Sequence, residues 1–125
     1  MEDRESILVE QIKGVIIDLI YYSDDTLKVN YSDYISEKLN YDYTYLSNMF
    51  SKIKGTTIQQ FIIKNKVERV KELLMYGEMN LTEISYKLNY SSVSHLSNQF
   101  KKITGFSPSY YMQTNNYKRV SLEAI

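Results

Sequence analysis

The chain has 125 residues, 43% of them apolar, with fifteen basic and fifteen acidic side chains, one histidine and no cysteine. That length holds one domain or two small lobes, and that balance belongs to a folded globular chain rather than a disordered one. The missing cysteines exclude a disulfide framework, a thiolate metal site and a cysteine nucleophile.

No apolar run is long enough to span a bilayer, and the acidic start Met1-Glu2-Asp3 is unlike the basic start of a signal peptide, so a cytoplasmic protein without membrane contact is expected. Net charge is zero, but its distribution is uneven. Residues 1–50 carry four Lys or Arg against ten Asp or Glu, whereas residues 51–125 carry eleven against five. One end repels polyanions and the other attracts them.

In chain order, residues 4–22 place Leu8, Ile12, Val15, Ile16 and Leu19 on one face, which predicts a first amphipathic helix. Asn30, with Asp33 three residues on, caps a short helix over Tyr31–Leu39. Asp42 caps the next, Tyr43–Ile53, which stops at Gly55. Thr57 and Gln60 form a capping box that opens a long helix, Ile58–Tyr76, about 28 Å at 1.5 Å per residue. Asn80 with Glu83 repeats the device for Leu81–Leu88, and Ser92 caps Val93–Ile103, which Gly105 ends. Ser107 followed by Pro108 opens a last helix to about Tyr117. The expected fold class is all-α: seven helices and no sheet.

Two stretches of this chain are near-copies. Leu39-Asn40-Tyr41, a polar gap, then Leu46-Ser47-Asn48-Met49-Phe50 returns as Leu88-Asn89-Tyr90, a gap one residue longer, then Leu96-Ser97-Asn98-Gln99-Phe100. Each unit reads as helix, short turn, helix, with Asn40 and Asn89 supplying a left-handed helix end. Tyr41 and Tyr90, equivalent in the repeat, are expected in the core. On the helical wheel Leu46, Phe50 and Ile53 form the buried stripe of the first copy, and Leu96, Phe100 and Ile103 that of the second. Opposite them lie Thr44, Ser47, Asn48 and Ser51, then Ser94, Ser97, Asn98 and Lys101. Neither face carries a carboxylate, and Lys52, Lys54, Lys101 and Lys102 stand nearby. A solvated face normally mixes Glu with Lys, so these faces suit phosphates and base edges.

The stretches "YSDYISEKLNYDYTYLSNMFSKIKGTTIQQFI" and "NLTEISYKLNYSSVSHLSNQFKKITGFSPSYY" resemble the two helix-turn-helix units of AraC/XylS-type bacterial transcription regulators, over about residues 5–112. The resemblance implies two lobes, about 4–57 and 77–117, joined by the linker helix, within a DNA-binding domain over 1–125. It also implies a sequence-specific regulator that inserts Tyr43–Ile53 and Val93–Ile103 into consecutive major grooves. By position the base readers are Thr44, Ser47 and Asn48, then Val93, Ser94, Ser97 and Asn98. Ser51, Lys52, Lys54, Lys101 and Lys102 meet phosphate. The family commonly has arginine where Asn48 and Asn98 stand, so guanine reading there is not carried over.

The implied partner is a double-stranded DNA operator, with RNA polymerase as a second candidate and a monomer as the working state. The chain is either a stand-alone regulator or the C-terminal part of a longer one. No cofactor or metal is expected, because the lone His95 has no cluster of ligands around it and reads as a surface side chain. Lys118 and Arg119 read as a solvated tail. The acidic first helix is expected to lie away from DNA. Two other classes stand behind the regulator: a protein-interaction module on the same fold, and an enzyme, for which neither a second histidine nor a glycine-rich phosphate loop is present.

Overall fold

A computed structural model describes residues 3–23 and 28–114. Among them are seven helical segments and no strand. The first, α1 (Arg4–Ile17), starts where the Asp3 carboxylate accepts the Ser6 N–H at 2.7 Å, a bond that also holds Asp3 below the usual carboxylate range. It runs on without a break into a π-helical turn, Asp18–Tyr22. That wider turn corrects the predicted apolar face. Leu8, Val9, Ile12 and Ile16 are buried as a helical stripe that leaves Val15 half-exposed at its edge, and past Ile17 the wider turn buries Ile20 and leaves Leu19 half-exposed.

Local capping explains the remaining boundaries. Asn30 Oδ1 accepts the Asp33 N–H at 2.8 Å to start α2 (Tyr31–Leu39), and Asn40 ends it at φ 58°. Asp42 accepts the Thr44 N–H at 3.1 Å to start α3 (Tyr43–Lys54), which Gly55 closes at φ 72°, a left-handed conformation that favours glycine. Thr57 Oγ1 accepts the Gln60 N–H at 3.0 Å at the head of α4 (Ile58–Tyr76). At α5 (Leu81–Lys87) both halves of the capping box are made: Asn80 Oδ1 takes the Glu83 N–H at 2.8 Å, and Glu83 Oε1 takes the Asn80 N–H at 3.1 Å. Ser92 caps α6 (Val93–Thr104) through the His95 N–H at 3.0 Å. Ser107 accepts the Tyr110 N–H at 3.1 Å ahead of α7 (108–114). The expected continuation to Tyr117, with Lys118 and Arg119, lies outside the described residues.

The chain divides into two compact units, Met1–Lys66 and Val67–Ile125, and α4 contributes to both. In the first unit α1, α2 and α3 pack on one another around Ile12, Ile16, Ile35, Leu46 and Phe50, with the Phe50 and Phe61 rings tilted at 5.8 Å. In the second, α5 packs on α6 around Ile84, Leu96 and Phe100, and the Phe100 and Tyr111 rings meet edge to face at 5.5 Å. Phe50 with Phe61 and Phe100 with Tyr111 hold matching places in the repeat. One device folds twice around one kind of aromatic pair.

Three predicted core positions are corrected. Ile53 and Ile103 point along their apolar stripes yet stay 38% and 39% exposed, because each sits in the last turn before its terminating glycine. Tyr41, expected in the core with Tyr90, is 41% exposed while Tyr90 is 7%. The extra residue of the second turn, Ser91, accounts for that split and is described below. The first unit also buries a charge. Lys66, 6% exposed, sets its ammonium 5.6 Å from the centre of the Tyr31 ring. Burial pushes Lys66 down to about 8 and the Tyr31 phenol up to about 12.

Candidate nucleic-acid interface

The outer faces of α3 and α6 follow directly from the burial of their inner ones. With Leu46, Met49 and Phe50 buried, α3 turns Thr44 and Asn48 outward, and Ser47 and Ser51 lie half-buried beside them. With Leu96 and Phe100 buried, α6 exposes Ser94, Asn98, Lys101 and Lys102, while Val93 and Ser97 are half-buried. Each predicted set therefore shares one face of one helix. Each face is small, polar and free of carboxylates. Such a surface can offer hydroxyls, amides and ammonium groups to base edges and phosphates at once.

Each outward helix follows an asparagine in the left-handed region, Asn40 at φ 58° and Asn89 at φ 61°. The preceding helix, a sharp turn and the outward helix make the shape of a helix-turn-helix in both units.

The phosphate candidates differ between the units. Lys52 Nζ stands 3.8 Å from Glu5 and Lys54 Nζ 3.7 Å from Glu10, which also takes Lys13 at 3.5 Å. The acidic first helix thus lies against the basic end of α3 through Glu5 and Glu10. Lys101 and Lys102 have no carboxylate within ion-pair range among the described residues. The pairing in the first unit joins residues far apart in sequence, so no local pattern could have disclosed it.

Sequence reasoning also missed what stands at the head of each outward helix. Tyr41 and Tyr45 stack at 5.6 Å with planes 26° apart, and both are largely exposed. At the matching place Tyr90 meets His95 edge to face, at 5.3 Å and 83°. The aromatic spacing across each gap was the available signal. His95 is accordingly no plain surface side chain: its Nδ1 accepts the Ser91 N–H at 3.2 Å. Among the described residues no three His, Asp or Glu side chains gather as metal ligands, and no helix is long and apolar enough to cross a membrane.

Two tandem helix-turn-helix units, each showing an acid-free polar helix face, define a DNA-binding domain of the kind found in transcription regulators. The chain belongs to the helix-turn-helix domain family of the AraC type, whose pattern it matches over residues 35–114. It is 30% identical over 81 residues to the uncharacterized HTH-type transcriptional regulator YtdP of Bacillus subtilis, an alignment that takes in 65% of this chain and 10% of YtdP. The chain thus spans about a tenth of that relative's length.

Among solved structures it resembles the C-terminal domain of AraT, a response regulator from Geobacillus stearothermophilus, at 29% identity and a TM-score of 0.73, covering 90% of this chain and 88% of that one. The DNA-binding domain of AdpA, solved in complex with a target DNA, shares the fold at 15% identity and a TM-score of 0.72, covering 89% and 95%.

Proposed function

We propose that this domain binds double-stranded DNA sequence-specifically as a monomer in the cytoplasm and serves transcription regulation, with α3 and α6 entering consecutive major grooves. In this reading 4–57 and 77–117 are the two DNA-binding lobes and 58–76 the linker. Thr44, Ser47 and Asn48 read bases from the first helix, and Val93, Ser94, Ser97 and Asn98 from the second. Ser51, Lys52, Lys54, Lys101 and Lys102 meet phosphates. The observation that carries the reading is the pair of outward faces without a carboxylate, each set behind a left-handed asparagine turn, in a chain of this family. A tandem repeat, unlike a two-fold dimer, calls for an asymmetric site.

Asn48 and Asn98, both exposed, are assigned to adenines. An asparagine amide matches adenine N7 and N6 with two hydrogen bonds, worth roughly 1–3 kcal/mol of discrimination. Selection from a random duplex pool tests the assignment. The protein should enrich one asymmetric, bipartite sequence, and Asn98→Ala should relax preference at a single adenine-bearing pair while the melting temperature stays nearly unchanged. Selection of a palindrome, or of nothing, would reject the reading.

A further inference from the structure

We infer that Ser91, His95 and Tyr90 form a latch that fixes the start of the second reading helix, with His95 as its positioning residue. The inference rests on the DNA-binding reading above, and goes beyond it in assigning a role to side chains on neither reading face.

Both reading helices start three residues before their buried leucine, at Tyr43 ahead of Leu46 and at Val93 ahead of Leu96. Their N-caps Asp42 and Ser92 therefore correspond, and the extra residue of the second turn is Ser91. His95 folds its ring back over that residue. Nδ1 accepts the Ser91 N–H at 3.2 Å and lies 3.1 Å from the Ser91 hydroxyl. A ring nitrogen that accepts a backbone N–H carries no hydrogen, so the neutral imidazole holds its proton on Nε2.

The other face of the latch is Tyr90, buried and in edge-to-face contact with the His95 ring. Its own N–H reaches back to the Ser85 carbonyl on α5 at 2.9 Å. A chain of bonded groups thus runs from α5 through the turn into the first turn of α6. His95 precedes Asn98 by three residues and follows Ser94 by one, so fixing it fixes the phase of the reading face.

The first unit shows what the turn does without this arrangement. Its gap is one residue shorter, Tyr45 stands where His95 does, and Tyr45 has no ring nitrogen to accept a backbone N–H. Tyr41 stays exposed and stacks on Tyr45 instead of burying. The inserted serine and the histidine act together: one brings an N–H to the edge of the ring, and the other supplies the acceptor.

Two substitutions in the full chain separate positioning from other roles. His95→Asn sets an amide oxygen close to where Nδ1 stands, and His95→Leu keeps bulk but removes the acceptor. The probe is the duplex that the unaltered protein selects. His95→Asn should bind it within about threefold of the unaltered protein, and His95→Leu about tenfold more weakly. The lost discrimination should fall on the base pairs that Asn98→Ala affects, leaving those affected by Asn48→Ala as they were. Imidazole nitrogen spectra of the unaltered protein should show Nε2 protonated and Nδ1 bare, with the Ser91 amide exchanging slowly and His95→Leu releasing it.

Equal loss in both variants, with the Ser91 amide still protected in His95→Asn, would mean that His95 touches DNA itself and would overturn the latch. So would a His95→Leu variant with unchanged discrimination, or a proton on Nδ1. If the unaltered protein selects no duplex, the DNA reading fails by itself. The nitrogen spectra and the Ser91 amide still decide whether the latch exists.

Discussion

At the head of α3 the cap is a carboxylate, Asp42, and the lysines at the far end of that helix stand beside Glu5 and Glu10. At the head of α6 the cap is the neutral Ser92, and Lys101 and Lys102 have no carboxylate in range among the described residues. The backbone device is the same in both, with a left-handed asparagine, an N-capped helix and a glycine stop. What differs is the charge that a polyanion meets on approach. Copying a fold therefore does not copy its electrostatics, because capping and core are local to the repeat while ion pairs draw on whatever packs alongside. In the DNA-binding reading proposed above, the second unit supplies the stronger attraction and that of the first is muted by its ion pairs.

The largest expected effect probes what the units share. Phe50→Ala and Phe100→Ala each remove a fully buried ring from a matching aromatic pair, so each should cost about 3–5 kcal/mol in denaturant unfolding. A difference of more than about 2 kcal/mol between them would break the equivalence of the two cores.

Next comes a feature of the first unit alone. Lys66 is the one buried charged residue among those described. Lowering it from 10.5 to about 8 corresponds to roughly 3 kcal/mol against the charged form, so Lys66→Met should raise stability at neutral pH by an amount of that order. The sign with pH follows from proton counting. Between about 8 and 10.5 the unfolded chain holds a proton on Lys66 that the folded chain has released, so this residue makes stability rise with pH across that window. Tyr31 acts oppositely. It keeps its proton in the folded state from 10.0 up to about 12, so its contribution falls as pH rises there. Unfolding measured from pH 7 to 10 should show the rise in the unaltered protein and lose it in Lys66→Met. A flat profile in both would remove the buried charge from the account.

DNA affinity sharpens the comparison further. Lys102→Ala should weaken binding about tenfold at low salt, alike for all sequences, and flatten the slope of log K against log salt by about 0.9. Lys54→Ala should cost less than about threefold, because Glu10 already offsets that charge. Equal losses would mean that the first unit is not muted.

The smallest effect is the most diagnostic. Glu10→Gln should strengthen binding by about two- to fivefold, within the worth of an exposed ion pair. Asp18→Asn removes the same charge from the same part of the chain without freeing a lysine, and should do less. In the Glu10→Gln background Lys54→Ala should cost more than it does alone. Additive effects in that cycle would show that only bulk charge matters.

The fold was legible in the sequence wherever its cause was local. Asn30 with Asp33, Asn80 with Glu83, and Ser92 and Ser107 each mark a helix start, because the bond they make spans only three residues. Asn40 and Asn89 could be read as left-handed ends for the same reason. The wheel gave the direction of Ile53 and Ile103 but not how far a neighbour extends to cover them. It assumed an unbroken period through Asp18–Tyr22 and so missed the π turn. The outward faces were legible as faces. The pairing of Lys52 and Lys54 with α1 was not, since it depends on packing between distant segments, and neither was the divergence of Tyr41 from Tyr90, which one inserted residue produces.

That insertion carries a consequence for how such a chain can change. Ser91 enters the turn without displacing the asparagine before it or the capped helix after it. A spot that accepts an added residue at no loss of either boundary is one where length can change without a change of fold. The edit alters how firmly a helix is held, while the helix still forms. The two copies in this chain accordingly differ in the ring contacts at the head of the outward helix while both keep that helix. The turn is where the copies differ in length, whereas the outward helices both keep Leu-Ser-Asn.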